Sequence, residues 1–208
     1  MKTISKILVA TTNPGKLKEI SEMLDSDIEF KSLADFPGVK EVEEDGKTFS
    51  ENARKKALGY AKQTGLWTLA DDSGLMVDAL DGAPGVHSAR FSGAKDKNRG
   101  LLDHKNMAKL LDLLKDVPDE KRTARFVCNL CLASPEKVMI ETSGTLEGVI
   151  IKKEQGTNGF GYDPVFYVPS MKKTVAQLGS NEKNQISHRG QAILHFKPLL
   201  KDLLKRNA

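Results

Sequence analysis

The sequence predicts an α/β protein with a mixed central sheet flanked by helices, and two lobes with a cleft between them fit that pattern. Apolar runs of strand length alternate with stretches of helical apolar spacing, the signature of strands and helices interleaved along one chain. Crossovers through helices call for parallel neighbours, while one short hairpin calls for an antiparallel pair, so the sheet is mixed. The 208 residues carry no internal repeat, low-complexity tract or linker-like shift in composition, and residues 1–208 are read as one two-lobed domain.

The elements follow in order. Ile7-Leu8-Val9-Ala10 is a short buried strand that ends in the polar turn Thr11-Thr12-Asn13-Pro14-Gly15-Lys16. Leu17, Ile20, Met23 and Leu24 then recur at helical spacing. A second helix opens at Thr48-Phe49-Ser50-Glu51, a capping box, and runs through Ala53, Ala57 and Ala61 to a stop near Gly65. Its small residues predict close packing on a sheet. Trp67-Thr68-Leu69-Ala70 reads as a buried strand, Asp71-Asp72-Ser73-Gly74 as a turn, and Leu75-Met76-Val77 as an extended return. After the Gly82-Ala83-Pro84-Gly85 loop, leucines on one face predict a helix from Leu101 to Leu114, ended by Pro118 and Asp119. Two long strands, Thr123 to Ala133 and Lys137 to Ile151, flank a hairpin at Ser134-Pro135-Glu136. A glycine-rich loop over 156–164 leads into Val165-Phe166-Tyr167, and the chain beyond Ser187 is helical, with Pro198 either kinking it or dividing it in two.

Composition narrows the function. Thirty-two Lys and Arg against 28 Asp and Glu leave a net charge of +4, too small to argue for nucleic acid, so none is expected as a partner. No run approaches the roughly 18 apolar residues of a membrane helix, and the amino end has no signal-peptide pattern, so no membrane partner is expected and a cytoplasmic address is. Cys128 and Cys131 have C-x-x-C spacing. In a strand, residues i and i+3 point to opposite faces, so the two read as core thiols rather than a metal or redox pair.

Three clusters can carry chemistry. Thr11 to Lys16 sits where a strand feeds a helix, where backbone N–H groups, the positive helix end and the Lys16 ammonium would receive a phosphate. A plain capped turn fits the same residues. A Walker A loop does not, because the G-x-x-x-x-G-K-[ST] spacing is missing. The second cluster is acidic: Glu41, Glu43, Glu44 and Asp45 in one loop, and Asp71 and Asp72 after a buried strand, where adjacent carboxylates repel unless a cation or donor is present. Oxygen ligands without His or Cys suit Mg²⁺. In the third, Phe160 can stack on a base and Asp163 can accept from a ring N–H, with Lys183, Ser187, His188 and Arg189 supplying donors and charge around a helix start.

Seven segments together resemble the signature blocks of the inosine triphosphate pyrophosphatase family, in family order from Ile7 to about Leu204: Thr11–Lys16, Phe49–Ala53, Ala70–Leu75, Gly82–Gly85, Ser88–Gly93, Gly159–Pro164 and Ile186–Gly190. The bacterial dITP/XTP pyrophosphatase branch is the most similar. The resemblance implies an elongated two-lobed fold with the substrate in the cleft. It also implies Mg²⁺-dependent hydrolysis of non-standard purine nucleoside triphosphates (ITP, dITP, XTP) to monophosphate and pyrophosphate, by a homodimer.

Position by position, the resemblance makes Thr11, Thr12, Asn13, Pro14, Gly15 and Lys16 the triphosphate block, with Lys16 also stabilising charge in the reaction. Asp72 matches the general base, Glu43 and Asp72 the metal ligands, and Ser73 a substrate contact. Glu44 neighbours Glu43, and Gly46 alone fixes that register. Phe160, Gly161, Tyr162, Asp163, Lys183, His188 and Arg189 match the nucleotide pocket, and Lys56 a lysine that reaches the phosphates. Donors such as Arg189 and the backbone near His188 would favour a 6-oxo purine over adenine.

Overall fold

The computed structural model describes residues 6–12, 14–24 and 28–207. The chain runs β1 (Lys6–Val9), α1 (Pro14–Met23), β2 (Glu29–Ser32), α2 (Phe49–Thr64), β3 (Trp67–Val77), α3 (Arg99–Leu113), β4 (Thr123–Ala133), β5 (Val138–Ile150), β6 (Phe166–Val168), β7 (Lys173–Thr174), α4 (Ser180–Ile186) and α5 (His188–Asn207), with short 3-10 turns between them. Among the described residues a seven-stranded sheet has the order β2-β1-β3-β4-β5-β6-β7. It is mixed: β1 is parallel to β2 and β3, whereas β6 is antiparallel to β5 and β7. The chain divides into two compact units, and β3, β4 and β5 contribute residues to both.

Unit 1 comprises Met1–Ser73, Cys128–Gly144 and His188–Ala208. β1 and the unit 1 part of β3 are buried on both faces, and the two-residue period of a strand sends alternate side chains to separate cores. Ile7, Val9 and Leu69 pack with Ile20 of α1 and Ile193 and Phe196 of α5. Leu8, Ala10 and Ala70 face the opposite way, against Ala53, Ala57 and Tyr60 of α2. The alanines of α2 are fully buried and let the helix approach the sheet, as their spacing predicts. Complete burial of Phe196 contributes about 1.5–3 kcal/mol. The capping box forms: the Glu51 N–H donates to Thr48 Oγ1, and the Thr48 N–H donates to Glu51 Oε2, both at 3.2 Å. Gly65 closes the helix in the left-handed region at φ 71°, a conformation costly for any residue with a Cβ. Cys128 and Cys131 lie in the two different cores, so the C-x-x-C spacing does not bring the thiols together.

Unit 2 comprises Gly74–Val127 and Thr145–Ser187. Met107, Leu110 and Leu114 pack with Val77, Phe126, Leu146, Ile150, Tyr162 and Phe166. The Phe126 and Phe166 rings stand 4.4 Å apart, centroid to centroid. Arg122 is buried because it has an acceptor set of its own: its Nη1 donates to the Leu114 carbonyl at the end of α3, and its Nε to the Ile150 carbonyl, each at 2.7 Å.

The two long strands and their hairpin match the sequence reading to within a residue. Two expectations are corrected. Asp71-Asp72-Ser73-Gly74 is not a turn, because β3 runs unbroken from Trp67 to Val77. Pro198 does not divide the last helix, which is continuous from His188 to Asn207. The described residues contain no helix long and apolar enough to cross a membrane.

Candidate active site

The acidic pair lies inside a strand, so its two carboxylates point to opposite faces and meet different neighbours. Asp71, almost wholly buried, is surrounded by donors. Its Oδ2 sits 3.0 Å from Lys16 Nζ and accepts from Arg189 Nη2 at 3.2 Å and Ser73 Oγ at 3.1 Å. Arg189 Nη2 also donates to Ser73 Oγ at 3.1 Å, and Nη1 pairs with Glu19. Burial alone would raise the Asp71 pKa, but Lys16, Arg189 and Lys56 outweigh it and hold the carboxyl well below the usual range. Burial works against the Arg189 guanidinium in turn, but Asp71, Cys128 and Glu19 hold its pKa above the ordinary value.

Asp72 has the opposite setting. Its Oδ1 is 3.3 Å from Lys56 Nζ, which also donates to Glu44 Oε2 at 3.0 Å. Its buried Oδ2 makes no hydrogen bond of ordinary geometry among the described residues, although the Asn52 side chain lies near enough to the carboxylate to pull its pKa down. Burial raises the Asp72 pKa above the ordinary value, against the pull of Lys56 and Lys16, and Glu44 adds to the rise. For Lys56, burial works against the charged form, yet Asp72, Asp71 and Glu44 together raise its pKa. Adjacent carboxylates are therefore driven apart: one is locked as an anion, and the other is a stronger base than a free aspartate.

The acidic loop supplies one member of this group. Along 41–46 the backbone alternates, with Glu41, Glu43 and Asp45 exposed and Val42, Glu44 and Gly46 partly buried. Glu44, not Glu43, thus shares the Lys56 ammonium with Asp72. Gly46 fixes the register: its N–H donates to Asn52 Oδ1 at 2.8 Å, and a Cβ there would run into Asn52 and Glu51. Among the described residues no three His, Cys, Asp or Glu side chains group as a metal cluster. The Glu44 and Asp72 carboxylates are nevertheless oxygen donors of the kind Mg²⁺ takes together with substrate phosphates. The donor set fits that ion.

At the start of α1, Thr11 is partly buried and Thr12 exposed, with Lys16 reaching back to Asp71. Pro14 opens the helix, where its missing N–H costs nothing. Gly15 follows it, and Asn13 lies outside the described residues.

Unit 2 carries the glycine-rich loop. Asp163 Oδ2 accepts the Phe160 N–H at 3.0 Å and Lys183 Nζ at 2.9 Å, and that ammonium lies 4.5 Å from the Phe160 ring centroid. Gly159 and Gly161 take positive φ, 78° and 63°, and a Cβ on Gly159 would collide with the Asp163 carboxylate. Tyr162 is buried and donates to the Ser88 carbonyl at 2.8 Å, which makes it a brace. Asp163 likewise serves the loop itself.

The residues expected in one nucleotide pocket divide between the units: Phe160, Gly161, Tyr162, Asp163 and Lys183 belong to unit 2, while His188 and Arg189 belong to unit 1 at the start of α5. Gly144 of β5 leaves room for that turn, because a Cβ would meet the His188 carbonyl and the Ala192 nitrogen. Sequence reasoning passed over Glu19, Asn52 and Asp103. Glu19 lies one helical turn beyond Lys16, and Asp103 falls on the buried face of α3 with Asn106 and Leu110. A polar residue on an apolar face is the signal available.

Residues 7–199 match the model of the Ham1 family. The dITP/XTP pyrophosphatase of Desulforamulus reducens is 53% identical over 190 residues, covering 90% of this chain and 92% of that one. The dITP/XTP pyrophosphatase of Geobacter sulfurreducens is 52% identical over 202 residues, 97% of each chain. The solved structure of a HAM1 protein from Coxiella burnetii superposes with a TM-score of 0.85 at 43% identity, covering 95% of this chain and 98% of that one.

Proposed function

The chain belongs to the Ham1 family, and on that premise we propose that it is a nucleoside triphosphate pyrophosphatase that hydrolyses dITP, XTP and ITP to monophosphate and pyrophosphate. The observation that carries this reading is the opposed setting of Asp71 and Asp72. Asp72 is the general base: its raised pKa and a buried oxygen with no hydrogen bond of ordinary geometry among the described residues suit it to take a proton from water. The water oxygen bonds to the α-phosphorus, the bond to the bridging oxygen breaks, and pyrophosphate departs with the electron pair. Asp71 is the organiser that holds Lys16 and Arg189 in place.

Lys56 and Lys16 neutralise charge on the phosphates, and Thr11, Thr12 and the start of α1 receive phosphate oxygens. Glu44 and Asp72 are the residues we assign to Mg²⁺, which when bound would offset charge on the triphosphate and the pyrophosphate leaving group. In unit 2, the Phe160 ring and Lys183 suit a purine, with the ring as a stacking surface. We further propose that the chain works as one two-lobed domain, as a homodimer and in the cytoplasm.

The test is pyrophosphate release from dITP, XTP, dATP and dGTP with Mg²⁺ and with EDTA. Fast release from dITP and XTP, abolished by chelation, is expected. Nucleotide binding without turnover of any triphosphate would replace the enzyme with a binding module.

A further inference from the structure

Within unit 2, one buried carboxylate has no part in the chemistry above. Asp103 is 7% exposed, and its Oδ2 accepts the Gly161 N–H at 2.9 Å. Its Oδ1 forms an ion pair with Arg99 Nε at 3.1 Å, one helical turn back along α3. The neighbouring amide, Phe160 N–H, is held by Asp163. Two successive amides of the glycine-rich loop are therefore each held by a carboxylate, one from within the loop and one from a separate helix. The next residue, Tyr162, is pinned through its hydroxyl to the Ser88 carbonyl, which also receives Asn106 Nδ2 from α3 at 3.4 Å.

Gly161 has φ 63° and open space where a Cβ would stand. Its glycine backbone has wide conformational freedom, so the turn keeps one shape only through such tethers. A charge-assisted bond from a buried carboxylate is a strong one.

We propose that Asp103 is a positioning residue for purine recognition: by accepting the Gly161 amide it fixes the turn that presents the Phe160 ring. This rests on the reading that the loop takes the base. Asp103 touches neither phosphate nor the reacting atoms in that reading, so its loss acts on substrate affinity rather than on the chemical step. Asp103→Asn keeps an oxygen that can accept the amide, whereas Asp103→Ala removes it.

The experiment uses the full chain and two readouts. Amide exchange at Gly161 is measured by NMR in the ligand-free protein, and KM and kcat are measured for dITP with Mg²⁺. In Asp103→Ala, Gly161 exchange should accelerate about tenfold or more, and KM should rise about tenfold with kcat nearly unchanged. Asp103→Asn should stay close to the parent in both. Asp103→Leu, of similar size and without an acceptor, replaces the alanine variant if that one does not fold. Unchanged Gly161 exchange, equal effects of the alanine and asparagine variants, or a fall in kcat at constant KM would overturn the proposal. If the parent protein does not hydrolyse dITP, the functional reading fails, while the exchange contrast still decides whether Asp103 fixes the loop.

Discussion

Replacing Arg189 with alanine should cost the protein a measurable part of its stability, beyond any single contact with a ligand. The side chain is 1% exposed, and its guanidinium pairs with Glu19 and Asp71 and donates to Ser73. Removing one member of a buried ion pair costs about 3–5 kcal/mol, because the carboxylate left behind stays desolvated. Here Asp71 keeps Lys16 at 3.0 Å, which places the expected loss near the lower end, about 3 kcal/mol. For a chain of this length that lowers the Tm by roughly 6–12 °C. Arg189→Lys retains the charge but not the planar fork and should fall between the two. Urea and thermal unfolding followed through Trp67, the single tryptophan, give the comparison. A variant that melts within about 2 °C of the parent would show that the guanidinium is not what holds Asp71 and Glu19, and would refute the reasoning. Among variants that remain folded, Arg189→Ala should also reduce dITP turnover more than dATP turnover, and equal losses would remove Arg189 from base recognition.

Other outcomes follow from the same structure. Gly144→Ala places a Cβ against the His188 carbonyl and Ala192 nitrogen, an overpacking that should cost about 1–3 kcal/mol, read as a lower urea midpoint at unchanged slope. Cys128 and Cys131 are buried and their thiols pushed up to about 12, so neither should react with a thiol reagent until the protein unfolds. Their linkage has a definite sign. Unfolded thiols lose their protons near pH 8.5 while the native ones keep theirs, so stability falls as pH rises through about 8.5 to 12, by up to about 1.4 kcal/mol per pH unit for each thiol. Cys128→Ala and Cys131→Ala should each flatten that alkaline decline, and an unchanged slope would contradict the assigned cause.

Much of the frame was legible because local signals and tertiary structure agree. The α2 capping box, the alanine face of that helix and the hairpin between β4 and β5 appear as the residues predict. The break predicted at Asp71-Asp72-Ser73-Gly74 does not occur, because these are turn-forming residues only when their polar groups need water. In β3 the Asp71 carboxylate is met by Lys16 and Arg189, the second of them 118 positions away in the chain. No local pattern shows that compensation.

The acidic loop teaches a related point. Glu43 and Glu44 are chemically alike, and the resemblance alone did not separate them. Val42 carried the phase: it packs where a Cβ on Gly59 would stand, and alternation from an inward Val42 turns Glu44 inward and Glu43 out. Arg189 and His188 were grouped with Phe160 because all suit a purine, while burial and ion pairing, which sequence does not display, tie Arg189 to Asp71.

The central claim is that two adjacent carboxylates do opposite work, and a comparison of Asp71→Asn with Asp72→Asn tests it most directly, by measuring pyrophosphate release from dITP and the Tm of each variant. Asp72→Asn should abolish turnover while leaving the Tm at or above that of the parent, since a neutral amide relieves a buried carboxylate whose charge is disfavoured. Asp71→Asn should lower the Tm, because Lys16 and Arg189 lose the anion that compensates them. Persistent turnover in Asp72→Asn, or a Tm loss confined to that variant, would contradict the account.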